Sequence, residues 1–342
     1  MMKQISNEID GLWITVFFVW FFLWMKYKIE VKKIKGELNM SNYLTIDVGG
    51  TNIKYALMDE NAEIKEKGEV PTPYDGLDAF LESIKGIYDQ YADSNIEAIA
   101  MSAPGKIDAT KGYFYTSGAL NYINGVNLKD KLHEMIPVDF AVENDAKAAA
   151  AAEIWKGSMQ GVSNGTVIVL GTGIGGAVII DGKVYRGSTF AAGEYSGIPT
   201  TLLSGKYDPT KMWARVNGVG IMCDNYAKKL GVDPEGMNGR ILFTDANEGK
   251  QEALDAIDEY CESLAAGIVS LQFVLDVERV AIGGGISKQP LLMESLHKKL
   301  HAYYDEAGAF MPATLPEVVT CEFGNDANMI GALYHYLFEI RG

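Results

Sequence analysis

The sequence predicts an α/β protein built of two lobes, each with a glycine-rich turn between two β-strands. The first observation is that apolar strand patterns alternate with helical patterns after residue 40. The second is that two strand–turn–strand segments, Tyr43–Met58 and Val167–Tyr185, lie far apart in the chain. The third is size: 342 residues, 48% of them hydrophobic, are enough for two separate cores.

The first strand–turn–strand segment reads YLTIDVGGTNIKYALM. An apolar strand leads to the turn Gly49-Gly50-Thr51-Asn52, and a second strand runs from Ile53 to Met58. Asp47 ends the opening strand. Mg²⁺ prefers oxygen ligands and binds through few carboxylates plus phosphates, so Asp47 beside this turn suits a magnesium ion held through water. The alternative is an aspartate that only caps the turn.

The second segment contains Gly171-Thr172-Gly173-Ile174-Gly175-Gly176, which satisfies the dinucleotide-binding pattern GxGxxG. That pattern needs a helix after the glycines. Here Ala177–Ile180 is a strand pattern, and Asp181-Gly182 signals a hairpin before Lys183–Tyr185. A dehydrogenase is therefore disfavoured. Such a turn can surround a phosphate with backbone N–H groups, although an isolated one is more often a plain turn.

The other expected elements follow in order along the chain. The first lobe holds a helix, a buried strand that leads to a turn, a second strand and an alanine-rich helix: Leu77–Tyr91, Ile96–Met101, Ser102–Gly105, Val138–Val142 and the run closed by Gly157. The second lobe holds a helix from about Lys250 to Leu275, the strand Arg279–Ile282 and Gly283-Gly284-Gly285. We expect residues 40–160 and a final helix, 327–340, to form the first lobe, and residues 161–326 the second.

Asn144-Asp145 stands directly before the alanine-rich helix and is the main catalytic candidate. The alternative is a helix N-cap, a role that asparagine and aspartate commonly take. Asn325-Asp326 precedes the last helix with the same local chemistry, so the local pattern alone separates neither pair. A helix N-terminus stabilises a carboxylate by roughly 0.3–1 kcal/mol, which favours an ionised Asp145 at neutral pH.

Taken together, the motifs resemble the ROK sugar kinases of the actin-like ATPase superfamily. The resemblance rests on four stretches: IDVGGTNIK, VENDA at residues 142–146, VLGTGIGGAVIIDGKVYRG, and Ala192-Gly193-Glu194. It covers the chain from about Tyr43 to about Leu337. It implies a two-lobed actin-like ATPase (ribonuclease H-like) fold, with a phosphate-binding β-hairpin in each lobe and a cleft between the lobes.

The resemblance also implies a reaction and a set of residue roles. The reaction is ATP-dependent phosphorylation of a hexose or hexose derivative, most often at the 6-hydroxyl, as in glucokinase, N-acetylmannosamine kinase or β-glucoside kinase. Asp145 is the implied general base, and Gly105, Asn144 and Glu194 are implied to bind the sugar. The implied ATP and Mg²⁺ site comprises Asp47, Gly49, Gly50, Thr51, Asn52, Lys54, Gly171, Thr172, Gly173, Gly175, Gly176, Gly283, Gly284 and Gly285. Dimerisation is common in the family, so a homodimer is a further expectation.

The chain departs from the family pattern at the zinc site. Many members continue the glutamate motif as Glu-x-Gly-His and then supply a cysteine cluster. Here Ser196 and Gly197 stand in the Gly-His places, and Cys223 is the one cysteine nearby. Four-coordinate zinc cannot be built from these residues, so we predict no zinc. The missing histidine also leaves room near the C1–C2 edge of the sugar, and the identity of the sugar stays open.

Composition narrows the classes of function that remain possible. Acidic residues number 45 against 30 basic ones, a formal charge of −15, which argues against a nucleic-acid partner. A sugar-responsive repressor of the same family would carry an N-terminal winged helix-turn-helix, and residues 1–39 show no such pattern. A silent sugar-binding protein is the other alternative. The presence of Asp47, Asp145 and both glycine turns argues against it. Three cysteines, an odd number, fit a reducing cytoplasm.

Residues 1–39 do not fit the pattern of the rest. Leu12–Met25 is an apolar aromatic run followed by the basic stretch Lys26–Lys35, and it is short for a membrane span. It could be a membrane anchor, an interfacial segment, or upstream sequence read from a wrongly assigned start. We favour the last, because Lys35-Gly36-Glu37 can encode a ribosome-binding sequence before Met40. We then expect a cytoplasmic protein, and no membrane association unless residues 12–25 are truly expressed.

Overall fold

The computed structural model describes residues 41–201 and 207–341. The apolar and basic extension and the favoured start at Met40 lie outside the described residues. Within the described ranges, no helix is long and apolar enough to cross a membrane.

The chain alternates strands and helices throughout. Its first part forms β1 (Asn42–Val48), β2 (Asn52–Met58), β3 (Ile64–Pro71), α1 (Leu77–Asp89), β4 (Ile96–Ala103), β5 (Ile107–Asp108), β6 (Tyr113–Phe114), α2 (Leu128–His133), β7 (Asp139–Asn144) and α3 (Asp145–Lys156). Its second part forms β8 (Gly165–Leu170), β9 (Ile174–Ile180), β10 (Lys183–Tyr185), α4 (Trp213–Val216), α5 (Val219–Leu230), α6 (Gly239–Asn247), α7 (Gln251–Leu275), β11 (Arg279–Gly284), α8 (Pro290–Ala307), β12 (Glu317–Thr320) and α9 (Ala327–His335). A π-helical turn, Tyr336–Ile340, continues the last helix.

The two main sheets share one topology. The first has the strand order β3-β2-β1-β4-β7 and the second has β10-β9-β8-β11-β12. In each sheet the two strands that flank the glycine turn pair antiparallel: β1 with β2, and β8 with β9. The strand before the turn also pairs parallel with the strand on its other side: β1 with β4, and β8 with β11. The internal similarity of the two glycine turns is therefore a duplication of the whole sheet, and the predicted two-lobed α/β fold is confirmed.

The predicted hairpin at Asp181-Gly182 is confirmed. Both residues have positive φ angles, 54° and 72°, which is the geometry of a tight two-residue hairpin. The strand before it starts earlier than expected, at Ile174, so that Gly175 and Gly176 lie inside β9. Pairing with β8 explains the difference, because Gly175 and Gly176 stand opposite Val169 and Ile168 in the antiparallel ladder. The Tyr195 ring lies so close to Gly176 that a Cβ there would be 2.2 Å from it.

Three other strands also run further than their apolar runs suggest. β4 continues through Ser102 and Ala103, so the predicted turn Ser102–Gly105 is shorter than expected; β7 continues through Glu143 and Asn144, and β11 through Gly283 and Gly284. In each case the extension pairs with a neighbouring parallel strand, which supplies hydrogen bonds that the sequence pattern does not reveal.

The alanine-rich helix α3 lies between two elements that approach it closely. On one side α9 crosses it at Gly331, where a Cβ would lie only 1.6 Å from the Ala148 carbonyl oxygen. On the other side Ala150 and Ala151 share a buried cluster with Val167 of the second sheet. Small side chains are therefore needed on both faces of α3, which explains its composition.

The last helix packs against the first sheet, although it follows the second in sequence. Met329, Ile330 and Leu333 are buried in one cluster with Tyr43 and Met58. The chain thus crosses between the lobes twice, at α3 and at the segment that leads into α9. The cleft between the sheets is bounded by these two helices.

Candidate active site

Polar side chains collect at the carboxyl edge of the first sheet. Asp47 of β1 is opposite Ser102 of β4, and Ser102 is opposite Glu143 of β7. Because these three strands are parallel, their carboxyl ends meet at one edge, the usual ligand-binding edge of an α/β sheet. Asn144 and Asp145 follow at once, so the sheet brings Asp47 and Asp145 to the same edge.

Asp145 is the first residue of α3, and its two carboxylate oxygens differ in their hydrogen bonds. Oδ1 accepts a hydrogen bond from the Ala146 backbone N–H at 2.8 Å and another from Asn144 Nδ2 at 2.9 Å. Oδ2 accepts none from the described residues. The carboxylate is therefore held through one oxygen, while the other is available to a ligand.

Asn144, and not Asp145, is the cap of this helix. Its Oδ1 accepts from the Lys147 N–H at 3.2 Å, and its Nδ2 donates to the Gly105 carbonyl at 3.0 Å as well as to Asp145. Both amide protons are thus in use, which leaves a lone pair on Oδ1 for any sugar hydroxyl. The geometry makes Asn144 chiefly a residue that positions Asp145 and joins it to Gly105.

Burial raises the pKa of Asp145 to about 6. The Ala146 N–H lowers that pKa, the nearby carboxylates of Asp47 and Glu194 raise it further, and Lys147 lowers it. The helix N-terminus alone would have favoured the anion; desolvation outweighs it. The ionised form still makes up about 90% at pH 7, because the pKa lies one unit lower.

The second Asn-Asp pair behaves differently. Asp326 precedes α9 but makes no side-chain capping hydrogen bond. Its carboxylate instead faces Lys67 at 3.4 Å and is 34% exposed. Two pairs that are alike in sequence therefore have different environments, and only Asp145 is desolvated beside other charges.

Lys147 was not anticipated from the sequence. Its side chain is 2% exposed, and its ammonium pairs with Glu194 Oε1 at 3.1 Å. A buried ammonium needs a partner, and this one spans the lobes, from α3 to the loop after β10. A single lysine within an alanine run was the available signal. Glu194, predicted to bind sugar, thus stands beside Asp145 with its own partner and is 41% exposed.

Each glycine turn is closed by a backbone hydrogen bond from its first glycine, which spans three residues in the first turn and two in the second. Gly49 N donates to the Asn52 carbonyl, and Gly171 N donates to the Gly173 carbonyl, each at 3.0 Å. The next two N–H groups in each turn, those of Gly50 and Thr51 and those of Thr172 and Gly173, have no hydrogen-bond partner among the described residues. Such paired free amides can bind phosphate oxygens.

Not every predicted glycine reaches the cleft. Gly175 lines it beside Asp145, and Gly283, Gly284 and Gly285 line it beside Asp47. Gly284 needs to be glycine, since its φ is +97° and a Cβ would lie 2.0 Å from the Leu170 carbonyl oxygen. Gly176 is instead buried under Tyr195. The geometry gives Gly176 a packing role in place of the predicted contact with the cofactor.

Asp47 lies at the bottom of the cleft in contact with an unanticipated residue, Asn328 of α9. Asn328 Nδ2 donates to Asp47 Oδ1 at 2.9 Å, and burial raises the pKa of Asp47. Ser102 Oγ is buried beside this carboxylate and lowers the pKa of Asp47, although the geometry of the pair is not that of a full hydrogen bond. A buried carboxylate beside this hydroxyl, with Lys54 lining the same space, fits the surroundings of a hydrated cation and a phosphate chain.

Two adjoining cavities make up the cleft. One, of about 370 Å³, is lined by Asp47, Lys54 and the three glycines after β11. The other, of about 300 Å³, is lined by Asp145 and the second glycine turn. Both share Ala149, Val169 and Asn328 as walls, so they form one space between the lobes. Nine of the eighteen residues predicted to bind nucleotide or substrate line this one cleft: Asp47, Lys54, Asp145, Gly171, Gly173, Gly175, Gly283, Gly284 and Gly285.

A cluster of charged groups joins the lobes behind Asn144. Arg186, just after β10, donates to Glu143 at 2.7 Å and also to Glu339, while His335 Nδ1 lies 2.6 Å from Glu339. Glu143 Oε1 in turn accepts the Asn144 N–H at 2.7 Å. The potential metal-ligand atoms of Glu143, His335 and Glu339 lie within 4.8 Å of one another. The Arg186 guanidinium already pairs with both carboxylates, so an ion-pair cluster explains their proximity.

The zinc-motif positions lie beside the cleft. Tyr195–Gly197 forms one 3₁₀ turn, and a Cβ on Gly197 would meet nothing within 4 Å. Cys223, Cys261 and Cys321 are buried free thiols. The absence of zinc stays a prediction.

Comparison with known proteins identifies relatives of this arrangement. The chain is 30% identical to a β-glucoside kinase of Listeria monocytogenes serovar 1/2a over 300 residues, 86% of this chain and 96% of that one. It is 30% identical to a glucokinase of Halalkalibacterium halodurans, covering 84% and 93% of the two chains. A ROK family protein of Streptococcus pneumoniae, solved in complex with sucrose, superposes with a TM-score of 0.77 at 28% identity, covering 88% and 99%. The ROK family model matches residues 43–206 and 213–338, and the chain belongs to the ROK family.

Proposed function

We propose that this carbohydrate kinase transfers the γ-phosphoryl group of ATP to a hexose or hexose derivative, most often at its 6-hydroxyl, with Asp145 as the general base. The observation that carries the proposal is the position of Asp145. Its free oxygen, Oδ2, belongs to a carboxylate that lines the same cavity as the glycine turn of the second lobe. An acceptor hydroxyl at Asp145 would therefore stand next to bound phosphate.

Groups of the chain itself can remove the proton of the sugar hydroxyl. Asp145 is ionised at neutral pH, and a pKa of about 6 makes it a stronger base than an ordinary carboxylate. Oδ2 can accept a hydrogen bond from the sugar hydroxyl and then its proton as the oxygen becomes a nucleophile. Asn144 and the Ala146 N–H hold Oδ1, so the carboxylate is already oriented before the substrate arrives.

The phosphate-binding groups lie on the two lobes. Free N–H groups of Gly50 and Thr51 come from the first, and those of Thr172 and Gly173 from the second. When bound, MgATP would supply the phosphoryl group, and Asp47 would hold its cation through water, which would neutralise charge on the phosphates. Lys54 adds a positive charge on the same side of the cleft. Closure of the lobes would exclude water from the transferred group.

The choice of sugar is narrowed by the relatives and the open position at Gly197. Relatives at 30% identity are named as kinases of β-glucosides and of glucose. Gly197 is exposed and carries no side chain where many relatives have a histidine, so that contact with the sugar is missing here. The proposal therefore includes hexoses with a substituent near C1 or C2, and it includes no zinc.

The test is sugar-dependent release of ADP from MgATP by the full chain. The panel holds glucose, N-acetylglucosamine, N-acetylmannosamine, mannose, fructose, allose and cellobiose. We expect turnover with one or two of these, and a loss of at least about 100-fold in kcat for Asp145→Asn, in the usual range for a general base. Sugar affinity, measured by calorimetry, should change far less.

Asp326→Asn is the matched control. It makes the same chemical change at the other Asn-Asp pair, on an exposed carboxylate outside the cavity of Asp145. It should keep near-normal turnover. Near-normal turnover in Asp145→Asn would remove Asp145 from the proposed role, and ATP binding without turnover of any sugar would favour a sensor.

A further inference from the structure

A short segment after β3 lies against the glycine turn of the first lobe. Thr72 Oγ1 donates a hydrogen bond to the Gly49 carbonyl at 2.7 Å, and the Tyr74 hydroxyl donates one to the Gly50 carbonyl. The Thr72 backbone N–H also donates to the Thr51 carbonyl at 2.9 Å. Three successive carbonyl groups of the turn are therefore held by this segment, none of whose residues lines either cavity of the cleft.

These contacts fix the direction of the two free N–H groups of the turn. A carbonyl and the N–H of the next residue belong to one planar peptide unit and, in the trans form, point in opposite directions. The described residues contain no cis peptide bond. The carbonyls of Gly49 and Gly50 point towards the segment, so the N–H groups that follow them point away from it. These are the N–H groups of Gly50 and Thr51, and both residues are exposed, so that a phosphate can reach them.

The segment that holds the turn is itself stiff. Pro71 and Pro73 stand on either side of Thr72, which fixes φ at about −65° at both prolines and restricts Thr72 to extended conformations. The Tyr122 hydroxyl donates to the Pro73 carbonyl at 2.5 Å and joins the segment to the rest of the lobe. Thr72 is only 6% exposed, which shields its hydrogen bond from water. The contacts to the turn are thus present before any ligand binds.

The glycine turn of the second lobe is held differently. Its Gly171 carbonyl accepts a hydrogen bond at 2.9 Å from the backbone N–H of Val219, the first residue of α5. A backbone group of a helix end thus holds the second turn, whereas side-chain hydroxyl groups hold the first. Single substitutions that leave the backbone intact can therefore test the support of the first turn.

We propose that Thr72 and Tyr74 are positioning residues for nucleotide binding: their hydroxyl groups hold the first glycine turn so that its free N–H groups face the phosphates of ATP. The effect requires phosphate on the ligand, so binding of adenosine does not depend on either hydroxyl. This inference rests on the proposed function, because it takes the N–H groups of Gly50 and Thr51 to bind phosphate.

The test compares a ligand that carries phosphates with one that does not, on the full chain. We expect Thr72→Val to weaken binding of MgAMP-PNP, measured by calorimetry, about fivefold or more, the order expected when one hydrogen bond of ordinary strength is lost. Tyr74→Phe should weaken it about twofold or more, because Tyr74 is 59% exposed and its hydrogen bond competes with water. Adenosine affinity, measured by NMR titration, should be unchanged in both variants. In turnover, KM for MgATP should rise by the same factors while KM for the sugar stays constant.

Conservative and matched variants control for loss of folding. Thr72→Ser keeps the hydroxyl and should restore most of the affinity. Thr45→Val makes the same change in the middle of the same hairpin, where the Thr45 hydroxyl donates to the Ala56 carbonyl at 3.0 Å, and it should leave nucleotide affinity unchanged. Tyr185→Phe, on a tyrosine of the second lobe that is 47% exposed, is the control for Tyr74→Phe. Thermal denaturation checks each fold, and the exposed position of Tyr74 keeps the test available if Thr72→Val does not fold.

The outcomes separate this inference from the proposed function. Unchanged MgAMP-PNP affinity in both Thr72→Val and Tyr74→Phe, equal losses for MgAMP-PNP and adenosine, an equal loss in Thr45→Val, or no binding of MgAMP-PNP by the unmodified chain would overturn the positioning role. Selective losses in a protein that turns over no sugar would support the positioning role and contradict the kinase reaction. Sugar-dependent turnover with unchanged nucleotide affinity in the variants would do the reverse.

Discussion

The pH dependence of turnover tests the environment of Asp145 most directly. Burial raises the pKa of this carboxyl from 3.8 to about 6. A base whose pKa is raised is active only above the raised value. We therefore expect kcat/KM for the sugar to be constant above neutral pH and to fall as the pH decreases through about 6.

The size of the effect follows from the fraction ionised. With a pKa of about 6, roughly 91% of Asp145 is ionised at pH 7 and roughly 9% at pH 5, a tenfold loss of active enzyme. An exposed aspartate with the ordinary value of 3.8 would remain roughly 94% ionised at pH 5 and would lose almost nothing. The two cases differ clearly across this interval.

The assay should record ADP formation directly, by phosphorus NMR on quenched samples, because coupling enzymes have their own pH dependence. Protein incubated at pH 5 and returned to pH 7.5 should recover full activity, which excludes acid denaturation. The kcat/KM profile reports groups of the free enzyme. A profile that is flat down to pH 5, or one that falls near pH 4, would refute the desolvated environment or the role of Asp145 as base.

Three further predictions follow from the same geometry. Because the ionised form of Asp145 is disfavoured in the folded state, Asp145→Asn should stabilise the fold at pH 7.5 by on the order of 1–3 kcal/mol in chemical denaturation. This gain should fade as the pH falls from about 6 and should be nearly gone at the ordinary pKa of 3.8; equal or lower stability at pH 7.5 would contradict the prediction. Gly331→Ala should destabilise the protein by more than about 2 kcal/mol, because the new Cβ would overlap the Ala148 carbonyl oxygen. The control Gly86→Ala, in open space on α1, should be neutral or stabilising by up to about 1 kcal/mol. Metal analysis of the purified protein should find less than stoichiometric zinc, and one zinc per chain would overturn that prediction.

The sequence predicted the two hairpins and several of the strands and helices around them, and nine of its eighteen candidate site residues line the cleft. Strand–turn–strand patterns at Gly49 and Gly171 predicted both hairpins, since glycine, aspartate and β-branched residues determine local conformation within a few positions. Asp145 could be proposed as the base only with the help of the resemblance. Its local pattern is repeated at Asp326, and local chemistry is all that such a pattern encodes.

Residues that act through long-range contacts were not predictable in this way. Asn328 meets Asp47 because α9 returns to the first lobe, and Lys147 meets Glu194 because α3 crosses to the second. The sequence predicts Gly176 as a phosphate-binding residue, but the Tyr195 ring packs against it. The periodicity of a sequence does not show which distant segment of the chain packs against a given residue.

The sequence by itself determined the two glycine turns, the strands and helices with clear local patterns, and the residue types that the chemistry needs. Only the tertiary structure decided which of those residues face the cleft and how each is charged. The pKa of Asp145 shows the reason: a helix N-terminus, which is local, favours the anion, while burial between two lobes, which is not local, disfavours it and prevails.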